Sequence, residues 1–350
     1  LLQFAREVGC PAQKHRRHWW KTIPPCPVAA TSSIETRFVS ETPPIRIATR
    51  ASRLALWQAH HVQQLLNDVA PAQPVEIVHV STIGDRDKSG PLSSLGAFGV
   101  FTREVQKIVL DGEADIAVHS LKDLPTEPVP GLTLGGIPAR GATHDVLLLP
   151  DSRRKSNAGL GDLSEGAAVG TGSVRRRAQL LHRRPDLRFA EARGNVETRI
   201  KKLDDREFDA LILAAAGLIR LGLAERIDCE LQPPLMLPAI GQGALGIECR
   251  SDDTATLHLL AKINDPETKK AALAERTLLH DLRGGCHAPI AAATSISDGH
   301  LELTGIVLSP DGQQRLVATA SGDDAVVLGQ TVAEQLRTQG ADELIDAARF

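Results

Sequence analysis

The 350-residue chain has no CxxC pair, no apolar run near the roughly 18 residues that a membrane helix needs, and no strong net charge. Its five cysteines (Cys10, Cys26, Cys229, Cys249, Cys286) are odd in number and widely spread. That usage argues against a disulfide framework and against a zinc site, so no metal is expected, and it fits a reducing compartment such as the cytoplasm. A formal charge of −3 implies no collective acidic surface and no wholesale nucleic-acid binder. Without a long apolar run the protein is not expected to span a membrane.

What is present is the composition of a soluble globular protein, 42% hydrophobic and 24% charged, in a chain long enough for more than one domain. Residues 1–44 differ from the rest. They hold six prolines among basic residues, with neither helical nor alternating periodicity, and read as a disordered extension. A secretory signal would need an unbroken apolar core, which this stretch lacks; an organellar transit peptide stays open as the alternative.

From residue 45 the order of elements is readable. Strand "IRIAT" (45–49), helix "SRLALWQAHHVQQLLNDVA" (52–70) and strand "VEIVHVST" (75–82) are followed by helix "FTREVQKIVLDG" and strands "DIAVHS", "LTLGGI" and "DVLLLP". This β-α-β-α-β series predicts a doubly wound sheet. A second series opens near residue 167 with strand "AAVGTG", helix "SVRRRAQLLHRR", strand "LRFAEA", helix "NVETRIKKLDD" and strand "DALILAA". Beyond "LPAIGQGALGIECR" (237–250) come helix "PETKKAALAERTLLHDL", strands at 289–296, 301–307 and 314–320, and helix "AVVLGQTVAEQLRT". The expected fold is therefore α/β, two doubly wound lobes with a small C-terminal α+β domain. The boundaries expected are 45–143 with 244–262 for the first lobe, 144–243 for the second and 263–350 for the third domain.

Ligands of open α/β sheets bind beyond the carboxyl ends of the strands. Those tips supply Arg50, Ser52 as a helix cap, Ser120, Lys122, Asp123, Thr171, Ser173, Arg175, Arg176, Arg193 and Arg199. Between residues 170 and 202 ten Lys or Arg face three Asp or Glu. Arg175 and Arg176 fall in the first turn of a helix, where the macrodipole disfavours cations by several tenths of a kcal/mol, so local stability does not explain them. An anionic ligand does, a small polycarboxylate or phosphate. A solvated basic face is the plain alternative for any single arginine, and Arg177, Arg183 and Arg184 are left to it. Only Phe189 interleaves the stretch, which argues against nucleic acid. Asp123 is a carboxylate among cations. It reads either as a salt-bridge partner or as a group that steadies a cationic intermediate, and spacing does not choose. Cys286 in "LRGGCHAPI" stands between a glycine pair and His287, where packing asks for no thiol.

Six ordered motifs, "RIATRASRLALWQA", "DIAVHSLKDLPTE", "GTGSVRRRAQL", "RGNVETRIKKLD", "LPAIGQGALGIECR" and "GGCHAPI", closely resemble the porphobilinogen deaminase (hydroxymethylbilane synthase) family from about residue 45 to at least 330. The resemblance implies two periplasmic-binding-protein-like lobes with the active site between them. It implies a third domain whose cysteine, matched by Cys286, holds a dipyrromethane cofactor through a thioether. Four porphobilinogen molecules would lose ammonia and join head to tail, each through an azafulvenium cation, and water would release hydroxymethylbilane. By the same resemblance Asp123 and Lys122 are catalytic. Arg50, Ser52, Ser120, Lys122, Asp123, Thr171, Ser173, Arg175, Arg176, Arg193 and Gly194 hold the cofactor, and Arg50, Arg193, Arg199, Arg220 and Gln242 hold substrate. A monomer with no nucleic-acid or membrane partner is expected. The sequence departs from the family at Ser94 and Phe98, near positions that often carry lysine in a flap loop, and at Arg53, where many relatives carry proline. Two rival readings are a catalytically inactive tetrapyrrole-binding relative and a two-lobed solute-binding protein.

Overall fold

A computed structural model describes residues 42–81, 102–154, 159–285, 288–297 and 300–348. Most of the expected N-terminal extension, the loop with Ser94 and Phe98, and Cys286 itself lie outside the described residues.

The chain opens with β1 (Ile45–Arg50), α1 (Arg53–Val69), β2 (Val75–Val80), α2 (Arg103–Leu110), β3 (Ile116–Ser120) and β4 (Leu132–Gly136). It then crosses over to form β5 (Asp145–Leu148), β6 (Ala168–Gly170), α3 (Val174–Arg183), β7 (Arg188–Ala190), α4 (Val196–Asp204), β8 (Ala210–Ala214), α5 (Ala215–Arg220) and β9 (Cys229–Leu231). It returns with β10 (Leu245–Arg250) and α6 (Thr254–Ala261). The last segment is α7 (Pro266–Asp281), β11 (Ile290–Ser297), β12 (His300–Leu308), β13 (Arg315–Gly322), α8 (Ala325–Thr338) and α9 (Ala341–Ala347). The sequence patterns anticipated most of these elements but not α5, α6 or α9.

Two five-stranded sheets share one scheme. The first runs β2-β1-β3-β10-β4 and the second β7-β6-β8-β5-β9. In each, one strand is antiparallel to both neighbours: β10 in the first sheet and β5 in the second. The other pairings in these sheets are parallel. The central strands are continuous apolar runs because both faces are covered, as in "IAVHS" of β3 and "ALILA" of β8. Helix α1 buries Gln58, Ala59, Val62 and Leu66 on one face and is capped by Ser52, whose hydroxyl accepts from the Ala55 N–H at 3.3 Å. The third sheet is antiparallel, β11-β12-β13, and packs its core against α7, α8 and α9. These are the two doubly wound layers and the small α+β unit that the sequence implied.

The chain passes between the first two sheets twice, at 137–144 and 232–244. The two crossings touch: the Gly141 N–H donates to the Gly243 carbonyl at 3.0 Å. Gly243 has φ +86, and a Cβ there would meet the Ala142 carbonyl oxygen at 2.6 Å, so no other residue fits. Helix α7 grips both crossings through Glu275, which is fully buried. Its carboxylate accepts from Arg140 Nη1 (2.7 Å) and Nη2 (2.9 Å) on the first crossing and from the Gly241 N–H (2.7 Å) on the second. Thr294 Oγ1 donates a further bond at 2.8 Å, which ties β11 to the same carboxylate.

Candidate active site

Strand β3 ends in a single 3-10 turn, Leu121–Asp123. The buried Leu121 anchors this turn, and its N–H donates to the Ala244 carbonyl at 3.0 Å, so the turn hangs on the second crossing. Lys122 and Asp123, freed from packing, line a cavity of about 730 Å³. Opposite them, α3 begins at Ser173, whose hydroxyl accepts from the Arg176 N–H at 3.4 Å and whose own N–H is held by Thr171 Oγ1 at 3.2 Å. This capped turn carries Arg175 and Arg176, both buried.

Their partner is Asp145, the first residue of β5, with no solvent exposure. Arg175 Nη1 lies 2.8 Å from Asp145 Oδ2, and Arg176 Nη2 lies 2.8 Å from Oδ1. Gln242 Nε2 donates to the same Oδ1 at 3.0 Å and to the Thr143 carbonyl at 2.6 Å. Burial alone would raise the Asp145 carboxyl, but the two guanidinium groups hold it well below the usual carboxylate range. Burial in turn pushes the Arg175 guanidinium down, against the pull of Asp145. Lys122 Nζ reaches Gln242 Oε1 at 3.5 Å. Although Lys122 keeps some contact with solvent, desolvation pushes its ammonium down to about 8, opposed by Asp123 and assisted by Arg176. Asp123 is exposed, and among the described residues no hydrogen bond engages its carboxylate.

Of the residues expected at the site, the cavity brings together Lys122, Asp123, Ser173, Arg175, Arg176 and Gln242. Gly285 and Ala288, the described residues on either side of Cys286, also line it. The remaining candidates stand around the cavity. Thr171 and Ser52 are committed to caps, and Ser120 Oγ accepts from Gln58 Nε2 at 2.7 Å. Arg50 closes β1. Arg193 pairs with Glu191 at 2.8 Å, and Arg199 Nε donates to the Gly194 carbonyl at 2.7 Å. Gly194 has φ +104 and would drive a Cβ into Thr198 at 2.7 Å, so the backbone there needs glycine. Burial lowers the Arg199 guanidinium, with Arg176 adding repulsion and Asp123 opposing it, so these three charges sense one another. Arg220 stands at the hinge: its Nη2 donates to the Gly243 carbonyl at 2.7 Å and its Cζ lies 5.4 Å from the Trp57 ring centroid. Burial pushes Arg220 to about 10.

Three sequence expectations gain detail. Arg53 pairs with Glu197 at 3.0 Å across the two lobes, which gives that departure from the family a contact of its own. Arg184 is no solvated cation: it donates to the Leu160 and Leu163 carbonyls at 2.8 and 3.1 Å and to Asp186. Cys229 and Cys249 are buried, and desolvation pushes the Cys249 thiol up to about 11, which makes it a poor nucleophile. Asp145 was missed. The signal was a lone charge opening the apolar run "DVLLL", a position where a carboxylate persists only with buried partners.

Five basic side chains and two carboxylates line the cavity, beneath a hinge that joins the lobes. The molecule is a two-lobed protein with a basic, carboxylate-receptive cleft, and a third unit brings a cysteine loop to the cleft's edge. A family profile described as porphobilinogen deaminase, dipyromethane cofactor binding domain, matches residues 45–258, and one for the C-terminal domain of the same family matches 269–338. The chain is 46% identical over 303 residues to the porphobilinogen deaminase of Staphylococcus carnosus, covering 86% of this chain and 97% of that protein. It is 48% identical over 305 residues to that of Chromobacterium violaceum, covering 87% and 97%. For Synechococcus elongatus the identity is 47% over 305 residues, with 87% and 95% covered. The chain belongs to the porphobilinogen deaminase family.

Proposed function

We propose that this chain condenses four porphobilinogen molecules into hydroxymethylbilane on a dipyrromethane held by Cys286. The observation that carries the reading is the convergence of Asp123, Lys122, Arg175 and Arg176 on one cavity whose rim includes both described neighbours of Cys286. The residues present fit such a group. The cavity offers about 730 Å³, its lining has an excess of cations for acetate and propionate side chains, and Cys229 and Cys249 are withdrawn from solvent. When bound, the dipyrromethane supplies the free pyrrole carbon on which the chain grows.

In this reading each condensation forms a bond from the incoming methylene carbon to that free carbon and releases ammonia and a proton. Asp123 stabilises the positive charge that develops on the incoming pyrrole as ammonia leaves, and its freedom from other partners suits it to that task. Lys122, Arg175 and Arg176 bind and orient carboxylates; Asp145 and Gln242 hold the two arginines in place. Arg193 and Arg199 act from the adjoining turn, and Arg50, Ser52, Ser120, Thr171, Gly194 and Arg220 shape the surrounding wall. The domain division proposed is residues 45–143 with 244–262, 144–243 and 263–350. We propose a cytoplasmic monomer, a location supported by the dispersed cysteines. Relatives named for the enzyme support this reading over an inactive or solute-binding one.

Intact-mass measurement tests it. The purified protein is expected to exceed its sequence mass by one dipyrromethane unit on the peptide containing "GGCHAPI", and Cys286→Ser is expected to lose both adduct and activity. An unmodified mass in freshly purified, active enzyme would contradict the tether.

A further inference from the structure

The cavity has a second basic wall that the site residues above do not include. Arg103 enters it from α2, and His280 and Arg283 enter it from the end of α7. Both arginines sit at local cost. Arg103 is the first residue of α2, where the macrodipole disfavours a cation. Arg283 has φ +48, a left-handed conformation that a non-glycine residue keeps only where its surroundings impose it. The segment is fixed in that form by bonds from the Arg283 N–H to the His280 carbonyl and from the Gly284 N–H to the Leu279 carbonyl, each 2.9 Å.

This wall is also tied to the chemistry. One turn earlier on α7, Arg276 donates from Nη1 to the Leu124 carbonyl at 2.9 Å and from Nη2 to the Pro125 carbonyl at 2.7 Å. Those carbonyls follow Asp123 directly, so the helix that leads to Cys286 is clamped to the loop that presents Asp123. Tether and reacting carboxylate are thereby held at a set separation, and a growing chain is stored between them. One substituted pyrrole unit occupies about 200 Å³ at the density of organic solids, so roughly three to four units fill the 730 Å³. Two cofactor rings and the first two additions reach that limit. Each further unit adds two carboxylates after Lys122, Arg175 and Arg176 are engaged.

Resting on the proposed function, we propose that Arg103 and Arg283 form a second carboxylate-binding wall that holds the later units of the growing chain. The neighbouring His280 and Glu127, 3.6 Å apart, partly cancel and leave the arginines to set the local charge. Guanidinium groups suit the task because each can grip a carboxylate through two parallel bonds.

The test is native mass spectrometry of holoenzyme titrated with porphobilinogen, comparing wild type with Arg103→Leu, Arg283→Leu, the double variant and the two Arg→Lys variants. The double Leu variant is expected to carry the cofactor adduct and to form the one- and two-addition complexes as wild type does. It is expected to stall there, with the two-addition complex raised about tenfold over later ones, the size of one lost charge-assisted contact. The Lys variants should restore part of the ladder, which guards against a folding defect in the Leu variants. A normal adduct with an undisturbed ladder, or uniform slowing of all four additions, would overturn the second wall. A wild-type protein with no adduct would bring down the tether reading and this wall with it.

Discussion

Two aspartates flank the cleft under opposite conditions. Asp145 has no solvent exposure and is engaged by Arg175, Arg176 and Gln242, while Asp123 is exposed and hydrogen-bonded to none of the described residues. Both lie at a strand end, and both face the same pair of arginines across a few ångströms of sheet edge. The difference is one of commitment. A carboxylate that is fully neutralised holds its partners in place but has nothing left to offer a reacting group, whereas one without fixed partners can respond to charge that appears during the reaction. Structure-holding and chemistry are therefore divided between two residues of the same type.

Asp123→Asn would break this comparison most sharply. Turnover is expected to fall by roughly two to four orders of magnitude with the cofactor adduct and thermal stability retained, as measured by steady-state kinetics beside intact mass and melting. Near-normal turnover would return Asp123 to the status of a surface charge. Asp145→Asn is expected to act mainly on the fold: two buried guanidinium groups would lose their counter-charge, a loss of about 3–5 kcal/mol in chemical denaturation. Unchanged stability with a large kinetic defect would reverse the two assignments. The smallest effect concerns Lys122, which stands between the aspartates. Its ammonium is pushed down to about 8, so its positive charge is present below that pH and fades as the pH rises through it. The KM for porphobilinogen should rise a few-fold across that range, and Lys122→Arg should move the inflection to higher pH. A pH-independent KM between 7 and about 9 would show that Lys122 does not grip substrate.

The sequence alone carried the layered architecture far, because buried parallel strands and one-sided helices each leave a periodic trace, as "IAVHS" and the face Gln58-Ala59-Val62-Leu66 do. The site was readable where residues cluster at strand tips, as in "HSLKDLP" and "GTGSVRRR". What escaped were partners brought together over long separations. Nothing local marks Asp145 as the counter-ion of Arg175 and Arg176, or Glu275 as the grip on Arg140 and Gly241. Short helices such as α5 and α9 escaped as well, since six or seven residues hold too few turns to display a period. The block of cations between 170 and 202 read as one surface, but the fold divides it. Arg175 and Arg176 are locked against Asp145, whereas Arg184 closes a turn and Arg193 and Arg199 lean on their own loop.

The sheet order also sets a timetable for synthesis. Strand β4 pairs with β10 alone, and β10 leaves the ribosome roughly a hundred residues later, after the whole second sheet has been made. At ordinary translation rates that is a wait on the order of ten seconds, during which β4 exposes an unpaired edge. The second sheet draws all its strands from one unbroken stretch of chain and closes on itself in that interval. A nascent chain arrested between β9 and β10 would therefore present a finished second lobe beside a first lobe still open, and that edge is where a chaperone would be needed.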